Sequence, residues 1–337
     1  MLKASVIVPC YNEESTILFL LDAIERQTFP HDQFEVIIAD GMSTDKTRSL
    51  ISEYQKQHKE LQIQVIDNPK RIIPSALNRA IEASKGKYIV RLDAHSIPYP
   101  DYIERCVQDL SAGRGDNVGG VWEIQPGRTG NSPPTWIARG IAAATAHPLG
   151  VGDAQYRIAN QAQYVDTVPF GAFDSKLIEK IGPFDEKLLT NEDYEFNVRI
   201  LQSGGKIWLD PAIRSVYFAR PTLLSLIKQY WRYGYWKGRM LYRYPKTIRW
   251  RQLLPPIFVS NLIGLSLLTV LNNWFGLLLM LEMILYGFIT ILAGIQVSRK
   301  KRDFLISFSV PLAIGVMHLT WGAGVLWSLL TLTIKKA

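Results

Sequence analysis

Asp93 and His95 are the residues of this sequence whose types and spacing most clearly suggest chemistry. They follow a strand-like apolar stretch, within Tyr88-Ile-Val-Arg-Leu-Asp-Ala-His-Ser96. Carboxylates at the carboxyl ends of strands in an open α/β sheet face the crevice where ligands bind. One carboxylate, phosphate oxygens and water commonly hold Mg²⁺. The segment therefore predicts a diphosphate and metal site, with a surface aspartate that only ends a strand as the alternative.

Three further groups of polar residues accompany this segment. Two follow strand-like stretches, and the third is acidic and stands before a run with helical periodicity. Because the dipole of a helix favours carboxylates at its N-terminus, a structural role of the acidic group is an alternative to a catalytic one. In chain order the groups are Val6-Ile-Val-Pro-Cys-Tyr-Asn-Glu-Glu14, Ala39-Asp-Gly-Met-Ser-Thr-Asp45 and Asn191-Glu-Asp-Tyr-Glu195.

The elements that must position these groups alternate between strand and helix. This order predicts an α/β domain of βαβ units with right-handed connections and a largely parallel sheet. We expect strands at Ser5–Pro9, Phe34–Asp40, Ile63–Asp67, Lys87–Leu92 and Val118–Ile124. We expect helices at Ser15–Arg26, after Thr47 toward Gln57, and at Pro74–Ser84, Tyr102–Leu110, Trp136–Ala146 and Tyr194–Gln202.

Composition divides the chain in two. Of 337 residues, 47% are hydrophobic, and from Leu253 onward the chain is apolar almost throughout. No apolar segment opens the chain, so we expect no signal peptide and a catalytic part that stays in the cytoplasm. The two cysteines, Cys10 and Cys106, lack metal-ligand spacing and suggest buried small residues, not a disulfide framework.

The net charge of +8 is concentrated in one stretch. Basic residues gather between Arg220 and Arg251, where Asp and Glu are missing and Tyr and Trp are frequent. Lys and Arg mixed with amphipathic rings beside apolar segments are typical of a membrane interface. We therefore expect anionic lipid headgroups, not nucleic acid, as the partner of this stretch.

Three apolar segments follow, at about residues 256–271, 275–295 and 304–334. A helix needs about 20 residues to span the hydrocarbon core. The first segment is short unless it includes Leu253 and Leu254, and the third is either one tilted span or a broken helix that re-enters. The positive-inside rule places Arg299-Lys-Lys-Arg302 in the cytoplasm. A buried helical domain of a soluble protein is the alternative.

Together the four polar groups resemble those of the inverting glycosyltransferase family 2, whose catalytic domain has the GT-A fold. Each group is unspecific alone, but their order and spacing extend the resemblance over about residues 4–235. The Asp-Ala-His-Ser form, combined with apolar C-terminal segments, is similar to bacterial exopolysaccharide glucosyltransferases of the succinoglycan type. The resemblance implies a Rossmann-like, mostly parallel sheet flanked by helices and followed by a helical transmembrane region.

The resemblance also implies how a nucleotide-sugar would bind. Pro9, Tyr11 and Glu13 would surround uridine, although Tyr11 and the neighbouring Asn12 have helix entry as an alternative role. Asp40 would accept a hydrogen bond from uracil, and Asp93 would meet the ribose or the metal. Positive charge near the base or the phosphates would come from Arg71 or Arg79, with a solvated turn as the alternative for Lys70-Arg71.

His95 replaces the second aspartate of the commoner Asp-x-Asp form. Imidazole suits Mn²⁺ better than Mg²⁺, although neither ion demands it. We expect Asp93 to be the main ligand of Mg²⁺ or Mn²⁺ and His95 a direct or water-mediated second ligand. A structural role of His95 is the alternative.

By the same resemblance, Asp193 is the general base and Glu192 helps to place the acceptor or the donor sugar. Gly171, within Phe170-Gly-Ala-Phe173, would let the backbone approach the sugar closely. Arg232 belongs to Gln229-Tyr-Trp-Arg-Tyr233, which resembles the Gln-x-x-Arg-Trp motif of processive members with Tyr in place of Trp. It would pair with phosphate, or else belong to the membrane interface.

The resemblance, together with the apolar C-terminal segments, implies a membrane-anchored, metal-dependent inverting glycosyltransferase. It would transfer a hexose, with glucose expected, from a UDP-sugar to a polyprenyl-diphosphate-linked saccharide, beside polysaccharide-assembly proteins. A polyprenyl-phosphate sugar synthase and a silent nucleotide-sugar-binding scaffold are the alternatives. A dinucleotide dehydrogenase is disfavoured because the first strand does not lead into a Gly-x-Gly-x-x-Gly turn.

We expect three regions along the chain: a GT-A catalytic domain over residues 1–219, basic and aromatic interface helices over 220–252, and about three transmembrane helices over 253–337. The protein would be a multi-pass protein of the inner membrane with its catalytic domain on the cytoplasmic side.

Overall fold

The computed structural model describes residues 2–130, 132–247 and 249–334. Its contacts divide the chain into two units. The first unit consists of Met1–Glu123 and Ala159–Tyr217, and the second of Ile124–Ile158 and Phe218–Ala337. The segment that follows the sixth strand is therefore grouped with the C-terminal helices.

Nine strands and thirteen α-helices are found in the described residues. The strands are β1 (Ala4–Cys10), β2 (Phe34–Asp40), β3 (Ile63–Asp67), β4 (Tyr88–Arg91), β5 (Ile97–Pro98), β6 (Asn117–Gln125), β7 (Gln163–Tyr164), β8 (Ala172–Asp174) and β9 (Ile207–Phe218). The helices are α1 (Ile17–Glu25), α2 (Thr47–Gln57), α3 (Ile73–Ala83), α4 (Tyr102–Ser111), α5 (Trp136–Thr145), α6 (Pro148–Val151), α7 (Gln155–Ile158), α8 (Leu177–Ile181), α9 (Glu192–Gln202), α10 (Leu223–Arg243), α11 (Trp250–Leu268), α12 (Asn273–Lys301) and α13 (Ile306–Ile334). Short 3₁₀ turns lie at His31–Gln33 and Pro245–Thr247.

The strands form one mixed sheet, which confirms the predicted α/β class. Its order is β3-β2-β1-β4-β8-β6-β9-β5, and β7 pairs with β9. The pairs β2–β3, β1–β2 and β1–β4 are parallel. The pairs β4–β8, β6–β8, β5–β9 and β7–β9 are antiparallel. The parallel arrangement is therefore limited to the first four strands, where helices α1, α2 and α3 provide the crossovers.

Apolar runs explain the parallel half. Every residue of β2 and β4 is buried, as expected for parallel strands that are covered on both faces. Helix α1 contributes Ile17, Leu20, Leu21 and Ile24 to the same core. Because the parallel strands all run the same way, the residues after β1, β2, β3 and β4 meet at one edge of the sheet.

Helix α13 is the centre of the second unit and packs against α5, α10, α11 and α12. Small residues permit these contacts: Gly140 of α5 packs against Ser309, and Gly234 of α10 against Trp321. The ion pair between Arg139 and Asp303, at 2.7 Å, joins α5 to the turn before α13. Small residues at such positions let the backbones of two packed helices approach closely.

Three helices of this unit are long and apolar enough to cross a membrane: Trp250–Leu268, Asn273–Lys301 and Ile306–Leu332. The first includes Leu253 and Leu254, which give it the length that residues 256–271 lacked. The third is one continuous helix in spite of Pro311, so the two halves of residues 304–334 are not separated by a break.

Candidate functional site

The acidic group begins a helix. Glu192 and Asp193 occupy the first turn of α9, after Asn191 with a left-handed φ of 68°. The helix thus begins two residues before the predicted Tyr194, because the acidic side chains are themselves favoured there by the helix dipole. Asp193 Oδ1 accepts a hydrogen bond from the backbone N–H of Tyr194 at 2.7 Å. The direction of the predicted base is therefore fixed by the helix start.

Arg91 of β4 joins this helix start to the predicted metal site. Its side chain is buried, with 3% of the residue exposed. Nη2 donates to Glu192 Oε1 at 2.8 Å and to Asp93 Oδ1 at 3.2 Å. One guanidinium thus binds a carboxylate after β4 and a carboxylate at the start of α9. Through Arg91 the structure brings Asp93 together with Glu192, and their catalytic roles stay predictions.

Burial and charge set the protonation of this cluster. Burial alone would lower the pKa of Arg91, but the carboxylates of Asp93, Glu192 and Asp193 outweigh it and raise the pKa. Burial raises the pKa of the Glu192 carboxyl, and Arg91 opposes that rise. Burial also raises the pKa of Asp193, with Arg91 opposing and Asp93 adding to the rise. A carboxylate with a raised pKa is a stronger general base.

Stability alone does not explain these buried charges. Arg91 Nη1 is buried and has no hydrogen-bond partner among the described residues. An unsatisfied buried donor costs about 1–3 kcal/mol, and apolar residues often replace buried ion pairs without loss. Buried titratable groups with shifted pKa values at strand ends are typical of functional sites.

On one side of α9, the side chains of two asparagines hold the helix in place. Asn197 Nδ2 donates to Thr167 Oγ1 at 2.9 Å, and Asn197 Oδ1 accepts from Asn117 Nδ2 at 2.7 Å. Gly171, with φ of 65°, lies against Asn117: a β-carbon there would be 2.5 Å from Asn117 Oδ1. The carbonyl of Gly171 also accepts a hydrogen bond from the backbone N–H of Arg91 at 3.0 Å. The packing around Asn117 thus requires a glycine here, while approach of a sugar to Gly171 stays a prediction.

An arginine fixes the other side of α9. Arg199 Nε donates to Glu195 Oε1 at 2.8 Å, within the helix. Phe196 stacks on Phe184 with ring centroids 4.3 Å apart. The guanidinium of Arg199 also donates to the carbonyls of Ile181, Gly182 and Pro183. Held on both sides, α9 gives Asp193 a defined position.

Side chains join the loops after β1 and β2 to each other. The backbone N–H of Asn12 donates to Ser43 Oγ at 2.8 Å, and Asn12 Oδ1 accepts from the N–H of Thr44 at 2.8 Å. The N–H of Glu13 donates to Thr47 Oγ1 at 2.8 Å. Asn12 therefore joins the two loops, and neither helix entry nor ligand contact is needed to explain these hydrogen bonds.

Asp40 lies where predicted, at the end of β2, but its side chain is fully buried. Oδ1 accepts from Ser43 Oγ at 2.5 Å, and Oδ2 accepts from Ser43 N at 3.0 Å and Arg48 Nε at 2.5 Å. Arg48 also pairs with Asp67 at the end of β3. Asp40 thus holds the loop after β2 and the side chain of Arg48 in place. Contact with a base needs a shift of that loop, and the role stays a prediction.

Tyr11 and Arg71 contact each other at the edge of the sheet where the parallel strands end. The Arg71 guanidinium lies 5.9 Å from the centroid of the Tyr11 ring, within the range of a cation–π contact. The ring also packs on Gly41, whose added β-carbon would be 3.0 Å from it. Tyr11 remains 44% exposed. Pro9, half-buried in β1, lies opposite Ala39. An exposed ring beside a cation is a surface on which a nucleobase stacks well.

His95 and Glu13 face each other across the loops after β4 and β1. His95 Nδ1 lies 3.2 Å from Glu13 Oε1, and both side chains are partly exposed. Asp93 has 20% of its side chain exposed and contacts Arg91 through Oδ1. Carboxylate oxygens and an imidazole nitrogen fit Mg²⁺ or Mn²⁺.

The side chains of Asp93 and His95 fit a metal that also binds phosphate. Among the described residues, the only group of three close metal-ligating side chains is Glu25, His58 and Glu60. It lies at the ends of α1 and α2, which return to the opposite edge of the sheet. Asp93 and His95 thus belong to no closed three-ligand cluster. A metal held by Asp93 and His95 would take its remaining ligands from a diphosphate and water, as Mg²⁺ usually does.

Two of the residues predicted to bind the donor are exposed on helices. Arg79 lies on the exposed side of α3. Arg232 is exposed on α10, in the second unit. The contact of Arg71 with Tyr11 therefore favours Arg71 over Arg79 as the cation near the base.

Backbone strain concentrates around the site. Six described residues other than glycine have left-handed φ values, and five of them stand in loops that lead into or out of it. Such conformations persist where the surrounding structure enforces them, often at ligand sites. The five are Asn12, Met42, Arg71, Phe170 and Asn191.

Sequence reasoning missed Arg91, Arg48 and Asn117. Arg91 stands two residues before Asp93, where alternation along a strand places both side chains on one face. That spacing was a usable signal. No local signal marks Arg48 or Asn117, whose partners are distant along the chain.

Comparisons with known proteins give the family. The model of "Glycosyl transferase family 2" matches residues 5–182. The chain is 29% identical to the succinoglycan biosynthesis protein ExoA of Rhizobium meliloti, over 95% of this chain and 92% of that protein. It is also 29% identical to a dolichyl N-acetyl-alpha-D-glucosaminyl phosphate 3-beta-D-2,3-diacetamido-2,3-dideoxy-beta-D-glucuronosyltransferase of Methanococcus voltae, over 82% and 87% of the two chains. The resemblance to family 2 and to the succinoglycan type is confirmed.

A solved structure confirms the GT-A-type fold. The mannosyltransferase PcManGT from Pyrobaculum calidifontis, in complex with GDP-Man and Mn²⁺, superposes with a TM-score of 0.62. The match covers 97% of this chain and 87% of that chain at 20% identity. At that identity the likeness concerns the fold, a mixed α/β sheet followed by helices.

Proposed function

The chain belongs to glycosyl transferase family 2, and we propose that it is a metal-dependent, inverting, membrane-anchored member that transfers a hexose from a UDP-sugar to a polyprenyl-diphosphate-linked saccharide. One observation carries this proposal: a single buried guanidinium, Arg91, binds both Asp93 and Glu192, the neighbour of Asp193. The carboxylate expected beside the donor and the carboxylate expected to act as base thus belong to one charge cluster.

Asp193 acts as the general base in this proposal. The acceptor hydroxyl attacks the anomeric carbon, the new C–O bond forms as the bond to the diphosphate breaks, and the hydroxyl proton passes to the Asp193 carboxylate. Inversion of an α-linked donor gives a β-linked product. The β configuration in the name of the Methanococcus relative supports this stereochemistry. Glu192 is held by Arg91 and places the start of α9.

The donor occupies the loops after β1, β2 and β4. Tyr11 stacks on the base, and Arg71 adds positive charge beside it. Asp93 and His95 would hold Mg²⁺ or Mn²⁺ beside the donor diphosphate. A bound divalent cation would neutralise the charge that develops on the leaving diphosphate. The Mn²⁺ bound with GDP-Man in the mannosyltransferase supports a metal in this fold.

The acceptor is a saccharide on a lipid carrier. The dolichyl acceptor in the name of the Methanococcus relative and the succinoglycan role of ExoA support this class. Three helices long and apolar enough to cross a membrane agree with a lipid-linked substrate. Glucose as the transferred sugar is part of the proposal, as is uridine as the base.

The test is release of nucleoside diphosphate by the detergent-purified protein. A panel of UDP-sugars and GDP-mannose, each with Mg²⁺, Mn²⁺ or a chelator, is supplied with polyprenyl-diphosphate-linked saccharides. We expect turnover with one UDP-sugar that needs metal and falls about 10²–10⁴-fold in Asp193→Asn. Asp93→Ala should lose the response to metal.

The matched control is Asp174→Asn, which changes an aspartate at the far end of the β4–β8 pair. It should turn over like the original protein. Full activity of Asp193→Asn would overturn the assignment of the base. Transfer to polyprenyl phosphate that does not depend on Asp193 would indicate a sugar synthase instead.

A further inference from the structure

Helix α13 differs from the other two apolar helices in how much of it is buried. Within the most apolar window of each helix, 39% of α13 is buried, against 11% of α11 and 6% of α12. Buried residues extend along α13 from Ile306 to Ser328. In a helix that spans lipid alone, most side chains would face the hydrocarbon. The partners that cover α13 therefore decide where it can lie.

The first half of α13 is covered by the segment between β6 and β7. Gly140 of α5 packs against Ser309, and His318 Nε2 donates to the carbonyl of Leu149 in α6 at 2.9 Å. Both ends of this segment are strands of the catalytic sheet. Its helices have 10, 4 and 4 residues, too short to cross a bilayer. The segment thus stays on the side of the membrane where the catalytic sheet lies.

The second half of α13 is covered by α10. Gly234 lies against Trp321 and Gly238 against Ser328. Helix α10 begins soon after β9 and carries five basic residues in 21. Such a helix does not cross hydrocarbon, so it too stays on the side of the catalytic sheet. These five are Lys228, Arg232, Lys237, Arg239 and Arg243.

Because of these contacts, α13 could cross the membrane only together with α10. Ser309 and Ser328 are about 28 Å apart along the helix axis, close to the thickness of the hydrocarbon core. If α13 crossed the membrane, α10 and its arginines would have to lie within the bilayer beside it. Helices α11 and α12 are therefore the two that can cross the hydrocarbon core.

Helices α11 and α12 have the opposite pattern. Their buried residues are limited to Pro256 and Val259 in α11 and to residues 290–298 in α12. None of residues 260–289, all of which the structure describes, is buried. This hairpin tip contains one charged residue, Glu282, and is otherwise apolar apart from Ser260, Asn261, Ser266, Thr269, Asn272, Asn273 and Tyr286. It is the part of the second unit that is suited to lipid.

The exposed side of α13 is an apolar stripe along its length. The side chains in it recur at helical spacing on one face and are each at least 43% exposed. Helix α10 exposes Leu224, Ile227 and Trp231 next to Lys228 and Arg232. Apolar side chains mixed with cations fit the boundary between anionic headgroups and acyl chains. The stripe consists of Phe308, Leu312, Leu319, Trp327 and Leu330.

We propose that α13 does not cross the membrane but lies on the side of the catalytic unit, with its apolar stripe against the headgroup boundary of an anionic bilayer, and that only the α11–α12 hairpin enters the hydrocarbon. This inference rests on the proposed membrane anchoring but not on the proposed reaction. It places the C-terminal end of α13 on the same side as the catalytic sheet, whereas three spans would place it on the opposite side.

The test is the side of the membrane that the end of α13 reaches. Full-length chain is fused after Ala337 to green fluorescent protein or to alkaline phosphatase and produced in a Gram-negative host. We expect fluorescence without phosphatase activity, in the membrane fraction. Phosphatase activity without fluorescence would overturn the proposal, and so would recovery of the chain in the soluble fraction. Neither reporter depends on sugar transfer, so failure of the proposed reaction is recognised separately.

A pair of substitutions tests the two surfaces directly. Leu319→Lys adds a charge to the middle of the α13 stripe, and Leu281→Lys adds the same charge to the hairpin tip. At a headgroup boundary a lysine reaches water with its amine, but within the hydrocarbon it does not. We expect Leu319→Lys to leave the amount of protein in the membrane fraction unchanged and Leu281→Lys to reduce it. Equal losses, or the reverse order, would contradict the proposal.

Discussion

The two parts of the candidate site are held together in different ways. Around Arg91, buried charged groups bind one another, and both Arg91 and Glu192 have almost no exposed surface. In the loops after β1 and β2, partly exposed side chains such as Asn12 and Ser43 bind backbone groups. Breaking a buried ion pair costs several times more than losing an exposed hydrogen bond. The half expected to do the chemistry is thus rigid, and the half expected to bind the nucleotide can adapt.

Removal of Arg91 should have the largest effect. Arg91→Met leaves Glu192 and Asp93 without their cation, and breaking such a buried pair costs about 3–5 kcal/mol of unfolding free energy. Arg91→Lys keeps one charge but lacks the planar fork that reaches two carboxylates, so it should lose less stability. Thermal unfolding in detergent measures both.

The matched control is Arg105→Met, which breaks the partly exposed pair with Asp101. Exposed pairs contribute about 0–1 kcal/mol. If Arg91→Met and Arg105→Met unfolded at the same temperature, the Arg91 cluster would not be the rigid half of the site. Adding Glu192→Gln to Arg91→Met should restore part of the stability, since one uncompensated charge is removed.

Gly171→Ala should have the next largest effect. The left-handed backbone costs an alanine about 1–2 kcal/mol, and its β-carbon would also meet Asn117 at 2.5 Å. Gly113→Ala is the control, since its φ of 66° is similar and nothing lies within 4 Å of the added atom. We expect the greater loss of melting temperature, and a loss of turnover, at residue 171. Equal losses at both positions would mean that contact with Asn117 does not matter for α9.

The pH dependence of turnover tests the burial of Asp193. Because burial raises the pKa of this carboxyl in the folded protein, and a base must be deprotonated, activity should be lost as pH falls through that raised value. The acid limb of kcat/KM should therefore lie above the pH at which an ordinary aspartate titrates, about 3.9. An acid limb at the ordinary value would show that Asp193 is well solvated or is not the base.

Changes in the loops should have the smallest effect. Ser43→Ala removes the hydroxyl that donates to Asp40 and accepts from the N–H of Asn12. A net loss of about 1 kcal/mol for each of these two hydrogen bonds predicts a rise of at most about thirtyfold in KM for the donor, with kcat unchanged. Steady-state kinetics measure the two constants. A fall in kcat as large as that of Asp193→Asn would mean that the loops are part of the rigid half.

Sequence reasoning located the strands of the parallel half and the polar groups after them. The bounds predicted for β2 and β3 are those observed, because runs such as Phe34–Asp40 are apolar and end in polar residues. Strand β9 was missed, since Pro211 interrupts it and one side is only partly buried. Antiparallel partners such as β8, with three residues, are too short to leave a pattern. Their pairing depends on neighbours that the local sequence does not specify.

The types of residue at the ends of the strands can be read from the sequence alone, since alternation, caps and apolar runs act over a few neighbouring residues. The same holds for the three segments that are apolar enough for a membrane. The folded chain is needed to show that Arg91 binds Glu192, that Asp40 is buried beside Arg48, and that α13 is covered by α5 and α10. Those contacts join residues far apart in the chain, and their free energy comes from burial and charge that exist only once the chain has folded.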